Sequence, residues 1–111
     1  MQRNTIRALR MGYLIIPVAT WVLRVLGMIA HRKTQLSIGK KTETHKHRWF
    51  SFYIVENMDS LQTPRGDLPL PPRALVIVMP FIMHGWSNRT GQAQDSHVYD
   101  LTAMHGPHVI P

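Results

Sequence analysis

The run Met11 to Ala30, MGYLIIPVATWVLRVLGMIA, constrains this chain more than any other feature. It holds about twenty mostly apolar residues, the length at which a helix crosses the hydrocarbon core of a bilayer. Arg3, Arg7 and Arg10 precede it, spaced to share one helical face, and His31, Arg32 and Lys33 follow it. Two residues inside the run resist this reading. Pro17 lacks the N–H that a helix interior needs; membrane helices tolerate proline where neighbouring groups satisfy the freed carbonyl. Arg24 carries a charge that costs about 2.5–3.5 kcal/mol at the centre of a membrane helix. It stands off-centre, about 10 Å along a helix axis from His31, so its guanidinium reaches toward the headgroups.

The expectation is therefore a single-pass anchor over 11–30, with Arg24 seeking an acidic or carbonyl partner on another membrane protein. Two other readings stay open. An Arg-bearing, acid-free start suits a mitochondrial leader, although such leaders are usually Ser-rich. The β-branched Val18, Thr20, Val22 and Val25 suit buried strands of a water-soluble fold.

Charge sharpens the picture. The chain has thirteen Lys plus Arg against six Asp plus Glu, and no acidic residue occurs before Glu43. Such a cationic, apolar segment is drawn to anionic lipid or to nucleic acid. The basic connector 31–48 supplies the contact residues: Arg32, Lys33, Lys40, Lys41, Lys46 and Arg48. Near a membrane each cation contributes about 1 kcal/mol toward anionic headgroups. The same excess of cations places the C-terminal side in the cytoplasm.

Beyond the connector, 49–55 (WFSFYIV) and 74–79 (ALVIVM) read as strands that pair into a short two-stranded β ribbon. Residues 56–73 read as a loop of turn residues, among them Pro64, Gly66, Asp67, Pro71 and Pro72. From His84 to Pro111 the chain is polar and turn-rich, the composition of a disordered tail. The expected fold class is thus a small α+β at most. It comprises a basic head (1–10), a transmembrane helix (11–30), a basic connector (31–48), a ribbon region (49–83) and a largely irregular C-terminal tail (84–111). With no cysteine, neither a disulfide nor a thiolate metal site can staple so small a core.

Chemical motifs are sparse. His45 and His47 are two apart and His105 and His108 three apart, spacings at which imidazoles chelate. Without cysteine and with few carboxylates nearby, they read as scattered exposed histidines, and neither a metal nor another cofactor is expected. No Gly-x-Ser-x-Gly elbow is present, and Gly85, Gly91 and Gly106 are isolated rather than gathered into a phosphate loop. The carboxylates show no paired placement, so no enzyme is expected. Asn88-Arg89-Thr90 is a glycosylation sequon that would act if the tail faced a lumen. Lys46 to Tyr53 sets cations beside aromatic rings, chemistry suited to single-stranded nucleic acid. It departs from the aromatic strand of RNA-recognition motifs, with Trp49 at the glycine position.

Three functions follow from these readings. The first is a single-pass membrane protein accessory to a larger membrane partner. The second is a mitochondrial basic protein that binds RNA or a ribonucleoprotein through Lys40 to Tyr53. The third is an open reading frame with no selected function, consistent with local signals that do not agree with one another.

Overall fold

The apolar run does not form one helix. The computed structural model describes residues 3–30, 32–37, 39–88 and 95–102, and there the run divides in two. A short helix, α1 (Arg3–Met11), ends at Gly12, whose φ of +98° suits glycine alone. Strand β1 (Tyr13–Pro17) follows, and then helix α2 (Thr20–Ile29). Ten residues of helix extend only about 15 Å. No helix among the described residues is long and apolar enough to cross a membrane. The single-pass anchor, the membrane localisation drawn from it and the α+β class are thereby corrected. Hydrophobic length alone cannot separate a membrane helix from a buried strand plus a packed helix. The punctuation by Gly12 and Pro17 decides it here. Pro17 closes an edge strand, where a missing N–H leaves no ladder bond unmade.

Eight further strands follow: β2 (Arg32–Leu36), β3 (Lys40–Lys41), β4 (Ser51–Glu56), β5 (Ser60–Thr63), β6 (Gly66–Pro69), β7 (Arg73–Val78), β8 (Gly85–Asn88) and β9 (Ser96–Asp100). They build two antiparallel sheets. The first has the order β1-β7-β4-β9-β2 and the second β3-β8-β5-β6. The two-stranded ribbon is corrected likewise. Its halves do lie side by side, from Ser51↔Val78 to Glu56↔Arg73, but as interior strands of the five-stranded sheet. The irregular tail is corrected by β8 and β9, both within residues 84–111. The loop expected at 56–73 contains the β5–β6 hairpin, turned by Pro64 and Arg65.

Alternation along β4 shows how the layers stack. Tyr53 and Val55 point into the space between the sheets. There they meet Val76, Val78 and Val98 of their own sheet and Leu61, Leu68 and Trp86 of the other. The ring of Tyr53 lies 5.0 Å from that of Trp86 in an edge-on contact. Ile54 points the opposite way and is also fully buried. Its cross-strand neighbour Tyr99 lies against Gly27 of α2, so α2 roofs the outer face of the first sheet. α2 turns Leu23 and Gly27 inward and leaves Trp21, Arg24, Val25 and Met28 outward.

Candidate metal centre

Between β3 and β4 the backbone runs alongside the segment that leads into β8. Thr42 N donates to Trp86 O at 2.9 Å, and His45 and His84 exchange both backbone hydrogen bonds at 2.9 Å. Phe81 N donates to His47 O at 2.7 Å. This isolated antiparallel bridge sets the side chains. Directly opposed residues share a face, so His45 and His84 stand side by side. On an extended backbone His47, two residues on, returns to that same face. The ring centroids are 4.7 Å apart for His45–His47, 4.5 Å for His45–His84 and 5.1 Å for His47–His84. One ring nitrogen from each lies within 4.8 Å of the other two.

Hydrogen bonds assign the protons. His84 Nδ1 lies 3.1 Å from Ile82 O, a carbonyl that can only accept. The proton therefore sits on Nδ1, and Nε2 presents a lone pair. That lone pair accepts from the Tyr53 hydroxyl at 2.8 Å. Having donated its proton, the Tyr53 oxygen accepts from His47 Nε2 at 2.9 Å. His47 Nδ1 is then unprotonated, and it is buried without a hydrogen-bond partner. His45 repeats the pattern of His84, with Nδ1 at 3.4 Å from Glu43 O, which leaves the lone pair on its Nε2. All three imidazoles thus hold a lone pair to share. Two have their other nitrogen held by the carbonyl two residues before, as metal-bound histidines commonly do.

Electrostatics keeps the inner pair neutral. Burial, opposed by the hydrogen bond to Ile82 O, pushes the His84 pKa down to about 4. Burial and the neighbouring His45 lower that of His47. Burial also raises the Tyr53 phenol, with Asp100 adding to the shift, so it stays a protonated donor. The Tyr13 hydroxyl donates to Met83 O and pins the backbone next to His84. Phe81 adopts a φ of +65°, a strained value for an aromatic residue, two residues after Met79 and three before His84.

A pH dependence of stability follows. The unfolded chain carries His84 at the ordinary 6.5 and the folded chain at about 4. Between those values the unfolded state binds the extra proton, so stability falls as pH drops below about 6.5 and the loss is complete near pH 4. For this one group the loss amounts to about 3 kcal/mol. Urea unfolding at about pH 7.5, 5.5 and 4.5 measures it. A flat profile through that window would contradict a buried neutral His84.

The residues expected to bind lipid or nucleic acid are spread over both sheets and the segment between β3 and β4. Arg32 and Lys33 lie exposed on β2, at the edge of the first sheet, with Lys33 Nζ 5.9 Å above the Tyr99 ring. Lys40 and Lys41 lie exposed on β3 of the second sheet. Lys46 and Arg48 flank His47 and face solvent. Of the aromatic residues beside them, Trp49 and Phe50 are exposed while Tyr53 is in the core. Arg24 is exposed on the outer side of α2. Asn88 is fully buried, and its side-chain amide donates to Leu36 O at 3.0 Å. A glycan on that nitrogen would require this region to open. His105 and His108 lie outside the described residues.

The period-two spacing of His45 and His47 is visible in the sequence. The third histidine is not, because His84 meets them only through a bridge across 39 residues, in a segment whose composition looks like a tail. No protein family, no characterised relative and no solved structure matches this chain.

Proposed function

We propose that the protein binds a divalent first-row transition ion, of the zinc class, through His45, His47 and His84. One observation carries the reading: three imidazole nitrogens from two chain segments lie within 4.8 Å of one another. Neutral imidazole is the required ligand form, and the lowered pKa values of His47 and His84 supply it at neutral pH. Buried His47 Nδ1 has no hydrogen-bond partner, and ligation of an ion after rotation of the ring would give it one. An all-imidazole set suits zinc, copper, nickel and cobalt over magnesium or calcium, which prefer oxygen. Three protein ligands leave a position open for water or for a small ligand.

A zinc–nitrogen bond of about 2.0–2.1 Å places ligand nitrogens about 3.3 Å apart around a tetrahedral ion. The trio must therefore close in by rotation of side chains. His45, the member in contact with solvent, is placed to do this. Tyr53 stands as the competitor, because its hydroxyl holds the His84 Nε2 lone pair in the metal-free protein.

Titration calorimetry with zinc, repeated with magnesium, tests the proposal. The expected result is one zinc ion per chain, no magnesium binding, and a cobalt(II) adduct whose visible absorption reports nitrogen coordination of low symmetry. A stoichiometry well above one, or magnesium binding of equal strength, would reduce the cluster to a hydrogen-bonded core network.

A further inference from the structure

A second polar site lies apart from the histidines, between α1 and the β5–β6 hairpin. A cleft of about 320 Å³ opens there, lined by Ile6, Arg7, Arg10, Met11 and Arg65. Three of its five lining residues are arginines, and among the described residues no carboxylate lines it. Arg7 and Arg10 are three apart on α1 and so share a face of the helix. Helix α1 is anchored beneath them by Ala8, which is fully buried in the core. Arg65 arrives from the opposite wall on the two-residue turn of the hairpin. That turn is fixed by its own hydrogen bonds: Thr63 Oγ1 donates to Gly66 O at 2.6 Å, and Arg65 N donates to Thr63 Oγ1 at 3.1 Å. Gly66 completes it with a φ of +109°. Asp67, two residues on, is not among the lining residues.

We propose that this cleft binds the phosphate group of a small phosphate monoester, with the organic part of the ligand against Ile6 and Met11. Three arginines from a helix and a hairpin turn line one space, and their like charges favour an anion there. A guanidinium presents its donors as a planar fork that matches phosphate oxygens two at a time, so a dianionic, multi-oxygen group satisfies several at once. The apolar pair favours an ester over inorganic phosphate. The volume admits a small molecule and not a folded nucleic acid. A phosphate monoester is also the headgroup of phosphatidic acid, and the experiment separates the two sources.

The probe is phenyl phosphate, titrated into the full chain at about 0.1 M salt and followed by calorimetry or by chemical-shift changes. Saturable one-to-one binding is expected, tighter than that of inorganic phosphate. Arg65→Ala should weaken it by about tenfold or more, since the residue is on an exposed turn whose own hydrogen bonds use backbone and Thr63. Arg65→Lys should recover only part of the loss. Arg24→Ala removes the same unit of charge from α2, outside the cleft, and should leave binding unchanged. Equal losses in Arg24→Ala and Arg65→Ala would mean unspecific attraction to a basic protein and would overturn the site. So would binding to phosphatidic acid vesicles without binding of phenyl phosphate. The outcome does not depend on the histidine cluster, because none of its residues lines the cleft.

Discussion

Replacing His45 by alanine is expected to lower zinc affinity by more than about 100-fold while leaving the fold nearly as stable as before. Loss of a group that only orients a metal ligand costs about 10–100-fold, and loss of a ligand itself should exceed that. His45 is in contact with solvent, and its side chain touches the network only through ring contacts and a long bond to Glu43 O. His84→Ala should abolish binding too, but it also removes a fully buried side chain and strips the Tyr53 hydroxyl of its acceptor. The pair of variants therefore separates ligation from folding. Tyr53→Phe acts on two of the ligands at once. It frees the His84 lone pair from a hydrogen bond worth about 0.5–1.5 kcal/mol net, but it also removes the acceptor that orients His47, a loss of about 10–100-fold, so zinc should bind more weakly than to the parent and more tightly than to His45→Ala. Competition against a chromophoric chelator reads all three. If His45→Ala binds zinc as the parent does, the cluster is no metal centre.

The second large effect concerns the roof of the five-stranded sheet. Ile54→Ala is expected to destabilise the protein by about 2–5 kcal/mol, a substantial part of the total for a chain of this size. Ile54 has no exposed surface and stands between Leu75 and Tyr99 on the face that α2 covers. Its truncation leaves a cavity under a helix of only ten residues. Trp21→Ala is the counterpart. Trp21 is 69% exposed on the opposite side of α2, so its loss should change stability by no more than about 0.5 kcal/mol. Urea unfolding of both variants, with unchanged m-values, checks the contrast. Equal losses would mean that the outer side of α2 is covered in the native protein and that the described packing is incomplete.

Residues 49–55 and 74–79 carry their strand character openly, in β-branched and aromatic side chains without a breaker. Which strands flank them is a matter of register and long-range pairing, and neither leaves a local trace. β9 illustrates this: SHVYD alternates only weakly, and it becomes a strand because it lies between β4 and β2. The apolar run misleads for a related reason. Hydropathy records how many apolar residues occur in a row, not what will cover them. Tyr13 goes to the space between the sheets, Leu23 to the layer above the first sheet, and Trp21 to solvent. Pro17 and the β-branched residues carry the signal against a membrane helix. At the candidate metal centre, the His45–His47 pair is legible from spacing and the lowered pKa of His47 is not, because burial of His47 is a property of the finished fold.

The order of strands also sets when the protein can fold during synthesis. β1 and β2 are made first yet form the two outer edges of one sheet, with β7, β4 and β9 between them. A ribosome releasing this chain delivers β1 and α2 long before Arg73–Val78, and β2 long before Ser96–Asp100. At about 5–20 residues per second the wait lasts several seconds, during which Tyr13–Ile29 has no sheet to cover it. The nascent chain therefore exposes its most apolar stretch before the strands that cover it have been made. Recovery of native protein should then depend on holdase chaperones and low temperature more than its final stability would suggest.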